Sequence, residues 1–300
     1  MAGDSDTDSV AAYLDHLTVE RRLAGATRET YARGLAELAR LVPGVAPEAM
    51  QPHQIRRAVA QLRARGLDGR TIARTLSSWR GLFRWLARHR GLAANPCAGV
   101  RAPRVAKTLP KALAPDEAQA LLDRAPRGAL EARDKALFEL CYSSGLRLAE
   151  LVGLELAQAR SMVRDGEIAV TGKGGRTRAV PVGAKARAAL RAWLDARPGL
   201  ARPREQALFV GARGERMNPG VVRQRLARWA LAAGLGRHVH PQMLRHSFAS
   251  HVLQSSGDLR AVQEMLGHAS IATTQVYTHL DFQHLAKVYD AAHPRAKKKR

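Results

Sequence analysis

The segment ANPCAGVRAPRVAKTLPKALAPDEAQALL, residues 94–122, limits most strongly what this chain can become. It spaces Pro96, Pro103, Pro110 and Pro115 so closely that no helix can run through it. Each proline removes a backbone N–H and clashes with the preceding turn. Arg101, Arg104, Lys107 and Lys111 stand among the prolines. Residues 95–111 therefore read as an extended, basic, proline-containing linker. Pro115, followed by Asp116 and Glu117, is a helix start. The 300 residues thus divide into two domains, 1–94 and 112–292, with a basic tail at 293–300.

The first domain reads as helix alone. Val10, Tyr13, Leu14 and Leu17 share one helical face, and Tyr31, Leu35, Leu38 and Leu41 share a second. Thr27 is the expected N-cap of that second helix. Ile55, Val59 and Leu62 mark a third helix; Ile72, Leu76, Trp79, Phe83 and Leu86 mark a fourth. Four such helices make a small bundle. Its polar faces carry Arg70, Arg74, Arg80, Arg84 and Arg88, the last three at i, i+4, i+8.

Lys and Arg number 49 against 26 acidic residues, a formal charge of +23. A surplus of that size points to a polyanion, with double-stranded DNA the first candidate. Few acidic residues neutralise the arginine stripe, so those side chains and Arg101, Arg104 and Lys107 are expected to contact the DNA backbone. No apolar run is long enough to span a membrane, and MAGDSDTDSV does not read as a signal peptide. Cys97 and Cys141 form no CxxC pair and read as free thiols of a reducing cytoplasm.

The second domain reads as mostly helical with one β-hairpin. Two alternating runs, near 167–171 and 176–182, flank glycines at 172, 174 and 175, which puts Lys173 at the tip. It is not a P-loop lysine, because Glu167 and Gly174 stand where that motif needs Gly and Ser or Thr. Other polar residues stand at helix ends. Gly145 closes one helix and Arg147 opens the next. Pro241 opens a helix whose Leu244, Phe248 and Val252 face a core, while Gln242 and Arg245 share another face near its N-terminus. Asp258 caps a further helix, Gly267 stops it, and His268 follows. Ser270 starts another that carries Tyr277. Helix termini leave backbone groups free to meet a ligand. Taken singly, each of these residues has an ordinary structural role.

Together, GLRLAELVGL, GKGGRTRAVPV, LRHSFASHVL and LGHASIATTQVYTHL resemble the tyrosine site-specific recombinases in order and spacing. The ending YTHLDFQHLAKVYDAAHPRAK is most similar to the Xer group, and within it the XerC branch. The resemblance implies a mainly α fold: a four-helix core-binding domain, then a mostly helical catalytic domain with a small β-hairpin. It implies that Tyr277 is the nucleophile forming a 3′-phosphotyrosyl link. Arg147 and Arg245 would clamp the scissile phosphate, Lys173 would protonate the leaving 5′-oxygen, and His268 would hydrogen-bond the phosphate. Guanidiniums are permanently charged, planar donors suited to the charge that grows on the phosphate oxygens. With no carboxylate cluster or HExxH motif, no metal is expected, and the covalent intermediate needs no cofactor.

One position departs from the resemblance. The family's remaining histidine lies three residues before the second arginine, where this chain has Gln242; His240 is five before and does not match. Gln242 keeps a second reading open, a DNA-binding architectural protein with impaired catalysis. A third keeps the chemistry but assigns it to a mobile-element integrase. For the leading reading, the implied task is resolving chromosome or plasmid dimers at cell division. The implied partners are a second Xer-type recombinase, XerD-like, in a cyclic heterotetramer, and a DNA translocase. Leu285, Val288 and Tyr289, at helical spacing, are candidates for docking on a neighbouring subunit.

Overall fold

The computed structural model describes residues 4–105, 112–172, 175, 177–267 and 293. The chain divides into two compact units, one ending at Thr108 and the other beginning at Leu109. Among the described residues no helix is long and apolar enough to cross a membrane.

The first unit holds α1 (Asp4–Val19), α2 (Gly25–Leu41), α3 (Pro52–Ala64) and α4 (Gly69–His89). Their apolar stripes meet in one core containing Tyr13, Leu35, Leu38, Ile55, Leu62, Leu76, Trp79, Phe83 and Leu86. The expected faces are the ones buried. The expected cap of α2 is displaced: the helix begins at Gly25 with Ala24 as N-cap, so Thr27 lies inside the first turn. Leu23 packs on the core and sets the entry of the chain. At α4 the side chain of Asp68 does cap, accepting from the backbone N–H groups of Arg70 and Thr71 at 2.8 and 3.1 Å.

α2 and α4 approach closely because Gly34 has no side chain. A Cβ there would lie 2.2 Å from Ser78 Oγ, while the buried Trp79 indole donates to the Gly34 carbonyl at 2.7 Å.

The segment expected to be linker from residue 95 begins as folded structure. Cys97 and Val100 are buried in the first core, and residues 96–99 form turns. Asn95 Oδ1 accepts from the Cys97 N–H at 2.9 Å, and Arg80 Nη2 donates to the Val100 carbonyl. The apolar side chains of residues 97 and 100 outweigh the segment's proline content. Burial pushes the Cys97 thiol up to about 12, so it is an inert packing residue.

The second unit comprises α5 (Pro115–Asp123), α6 (Ala129–Ser144), α7 (Leu148–Gly153), α8 (Ala159–Arg164), β1 (Glu167–Thr171), β2 (Thr177–Pro181), α9 (Ala184–Ala196), α10 (Pro219–Ala232), α11 (Pro241–Ser256) and α12 (Leu259–Leu266). α6 is buried nearly all round and forms its axis. β1 and β2 pair antiparallel with Glu167 opposite Pro181 and Thr171 opposite Thr177. Burying α6 also buries charge. Arg133 and Asp134 are each 1% exposed and bonded to one another. Arg133 also donates to the Val210 carbonyl at 2.9 Å, and Arg225 Nε to Asp134 at 2.6 Å. Paired and hydrogen-bonded, these ions escape the cost of an unmatched buried charge.

Candidate active site

Gly145 ends α6 in the left-handed region, with φ of 57°. A Cβ there would strike the Phe248 ring at 2.5 Å, so glycine lets α11 pack against the end of α6. The chain then turns outward and Arg147 becomes the N-cap of α7. Its backbone N–H donates to Glu150 Oε2 at 2.8 Å and its Nη1 to Glu150 Oε1 at 2.9 Å.

Arg178, on β2, approaches the same carboxylate with Nη1 and Nη2 at 3.0 and 2.9 Å. Glu150 is thus shared by two guanidiniums while its side chain is only 7% exposed. Burial on its own would raise the Glu150 carboxyl; the hydrogen bonds and charges of Arg178 and Arg147 override it and hold the group at about 2.

The third arginine arrives from α11. Arg245 is 8% exposed. It donates through Nη1 to the Gly145 carbonyl and through Nη2 to the Leu266 carbonyl at 2.6 Å. Those oxygens end α6 and α12, where a cation is favoured. Burial first, then the nearby Arg147, lowers Arg245 to about 10, so it stays protonated at neutral pH. Three guanidiniums thus grip the end of α12 on successive carbonyls: Arg178 on Met265, Arg245 on Leu266 and Arg147 on Gly267.

Beside the cluster opens a cleft of about 660 Å³ lined by Arg147, Arg223, His240, Gln242, Arg245 and His246. Gln242 is exposed in the first turn of α11. Burial, with the neighbouring positive groups, lowers His240 and His246 below the ordinary histidine value, so both are largely neutral at pH 7. Gly172 lies against the same cluster. A Cβ on it would stand 3.3 Å from Arg178, 3.5 Å from Glu150 and 3.7 Å from Arg147. Gly172 and Gly267 immediately precede Lys173 and His268 in the chain.

The structure therefore brings Arg147 and Arg245 together, 98 positions apart in sequence, in one cleft with Gln242. Lys173, His268 and Tyr277 lie outside the described residues, as do Lys107 and the segment with Leu285, Val288 and Tyr289. In the first unit Arg70, Arg74, Arg84, Arg88, Arg101 and Arg104 are exposed. Arg80, Arg84 and Arg101 line an open cleft of about 510 Å³. Arg80 departs from the expected outward stripe, because its guanidinium turns in to hold Val100. Sequence reading missed Glu150 and Arg178. The spacing of Arg147 and Glu150 as N-cap and N3 was a usable signal for the first; nothing local marked the second.

The phage integrase family profile matches residues 111–284, and the N-terminal SAM-like domain profile of phage integrases matches residues 10–90. The chain belongs to the phage integrase family. It is a tyrosine-type site-specific recombinase, an enzyme that cuts and rejoins DNA strands, and its partner is a DNA recombination site. The recombinase is 53% identical to a tyrosine recombinase XerC 1 of Ralstonia nicotianae, over 99% of each chain. It is 49% identical to a tyrosine recombinase XerC of Pseudomonas aeruginosa, over 96% of this chain and 95% of that one. In fold it is similar to the XerH site-specific recombinase bound to palindromic difH substrate, with a TM-score of 0.68, 23% identity and coverage of 97% and 90%. A lambda integrase dimer bound to a COC′ core site gives a TM-score of 0.67 at 19% identity, with coverage of 90% and 98%.

Proposed function

We propose that the recombinase does the work of the XerC relatives, resolving chromosome or plasmid dimers at cell division through a 3′-phosphotyrosyl intermediate. Tyr277, as its phenolate, which positive charge at the site favours, attacks the scissile phosphorus. The bond to the 5′-oxygen breaks, and Lys173 supplies the proton that the departing oxygen takes. Arg147, Arg245 and His268 hold the phosphate as its oxygens gain charge. Attack by an incoming 5′-hydroxyl then releases Tyr277 and rejoins the strand with no external energy source. The first unit, through Arg70, Arg74, Arg84, Arg88, Arg101, Arg104 and Lys107, grips the flanking duplex. The working assembly is a cyclic heterotetramer with a second, XerD-like recombinase, activated by a DNA translocase, in the cytoplasm.

One observation carries this reading. Arg147 and Arg245 converge at a single cleft, and the residues preceding Lys173 and His268 lie against the same guanidinium cluster. Two converging guanidiniums with an open cleft before them suit a tetrahedral anion. The curated XerC relatives at about half identity favour the Xer task over an integrase, since the integrase structures share only the fold.

The test is covalent trapping on nicked suicide DNA. The protein should form an adduct, and Tyr277→Phe should bind the DNA but form none. An adduct from the Phe variant would move the nucleophile to another residue.

A further inference from the structure

The catalytic cleft holds a cation for which the roles above leave no place. Arg223 lies in the second turn of α10, whose start is capped by Asn218. It is exposed and lines the cleft with Arg147, Arg245 and Gln242. A second arginine of the same helix behaves differently. Arg225 reaches inward and is bound to Asp134, whereas Arg223 has no hydrogen bond or ion pair with any described residue.

The other arginines of the cleft are already partly committed. Arg245 spends both terminal nitrogens on the carbonyls of Gly145 and Leu266. Arg147 divides its own between Glu150 and the Gly267 carbonyl. The rest of the lining adds little positive charge at neutral pH. Gln242 is a neutral amide, and His240 and His246 are held below the ordinary histidine range by burial. A phosphodiester entering the cleft therefore meets, among the described residues, one guanidinium with all its donors available.

We infer that Arg223 is a phosphate-contacting residue of the active cleft, supplying the charge that Gln242 does not. The inference rests on the recombinase reading above. It assigns Arg223 a direct contact with a non-bridging or adjacent phosphate oxygen, by the planar donor geometry that makes guanidinium the preferred partner of phosphate. The charge at this corner of the cleft comes from α10 rather than from the first turn of α11.

The experiment is a double-mutant cycle on adduct formation with nicked suicide DNA, using the full chain, Arg223→Gln, Gln242→His and the two combined. Arg223→Gln should slow adduct formation roughly thirtyfold in the native background and only about threefold in the Gln242→His background, because a second cation then shares the load. Arg223→Lys should recover part of the rate. Because Arg223 is exposed, thermal unfolding should not move. Equal defects in both backgrounds, or no defect, would overturn the inference while leaving the recombinase reading intact. An adduct that appears only with Gln242→His would also overturn it, since Arg223 would then not compensate. An adduct from none of the four proteins would sink the recombinase reading itself, and the inference with it.

Discussion

Glu150 and Arg178 form a two-pronged ion pair across 28 positions of sequence, with N–O distances of 3.0 and 2.9 Å. The pair joins α7 to β2, the strand that follows Lys173 in sequence. Through Arg147, which shares Glu150, it also fixes a guanidinium at the mouth of the cleft.

That pair makes stability depend on acid. Glu150 is depressed to about 2 from 4.5. A depressed carboxyl stabilises above its unfolded pKa and loses that contribution as pH falls through the folded value. The amount is about 3 kcal/mol, fully present above pH ~5 and draining away between about 4.5 and 2. Glu150→Gln should lower stability at pH 7 by about 2–4 kcal/mol, since it leaves Arg178 and Arg147 without their anion. Urea unfolding at pH 6 and pH 3 measures both effects: the gap between the two proteins should narrow at the lower pH. Parallel curves would remove Glu150 as the titrating group.

Arg80 and Arg88 stand on the same expected stripe but do different work. Arg80 is half-buried on the Val100 carbonyl, and Arg88 is exposed. Arg80→Ala should destabilise the protein by about 1.5–3 kcal/mol, the range for a charged hydrogen bond. Arg88→Ala should change stability by less than about 0.5 kcal/mol and reduce the salt slope of DNA binding by roughly one. Chemical denaturation alongside binding at several salt concentrations separates the two. A stability loss of the same size in both variants would contradict the assignment.

Lys173→Ala should cut strand cleavage by at least about a hundredfold if the amine protonates the leaving oxygen. A substrate with a 5′-phosphorothiolate at the scissile position needs no such proton and should recover most of the rate. Equal defects on both substrates would take Lys173 out of the acid role.

Gln242→His should raise the cleavage rate roughly tenfold, the difference between a charged and a neutral hydrogen bond being about 1–2 kcal/mol. DNA affinity should barely change, because one contact among many phosphates is altered. Single-turnover cleavage and equilibrium binding decide it. A variant no faster than the native protein would show that Gln242 already serves the site fully.

What was legible in the chain is what short-range physics governs. Periodicity and caps placed α4 on Ile72, Leu76, Trp79, Phe83 and Leu86, ended α6 at Gly145 and α12 at Gly267, and set the hairpin of residues 167–171 against the run that follows. The resemblance carried by the order and spacing of Arg147, Lys173, Arg245, His268 and Tyr277 implied the chemistry, which no local pattern of these residues specifies by itself. Contacts between distant residues were not legible. That Glu150 takes Arg178 and that Arg245 takes the carbonyls of Gly145 and Leu266 depend on which helix ends pack together. The inward turn of Arg80 and the burial of Cys97 and Val100 depend on a core that only the folded first unit creates. A side chain's local pattern specifies its face. Its partner is decided by burial, because a guanidinium or carboxylate removed from water must find whichever opposite group the packed elements bring within reach.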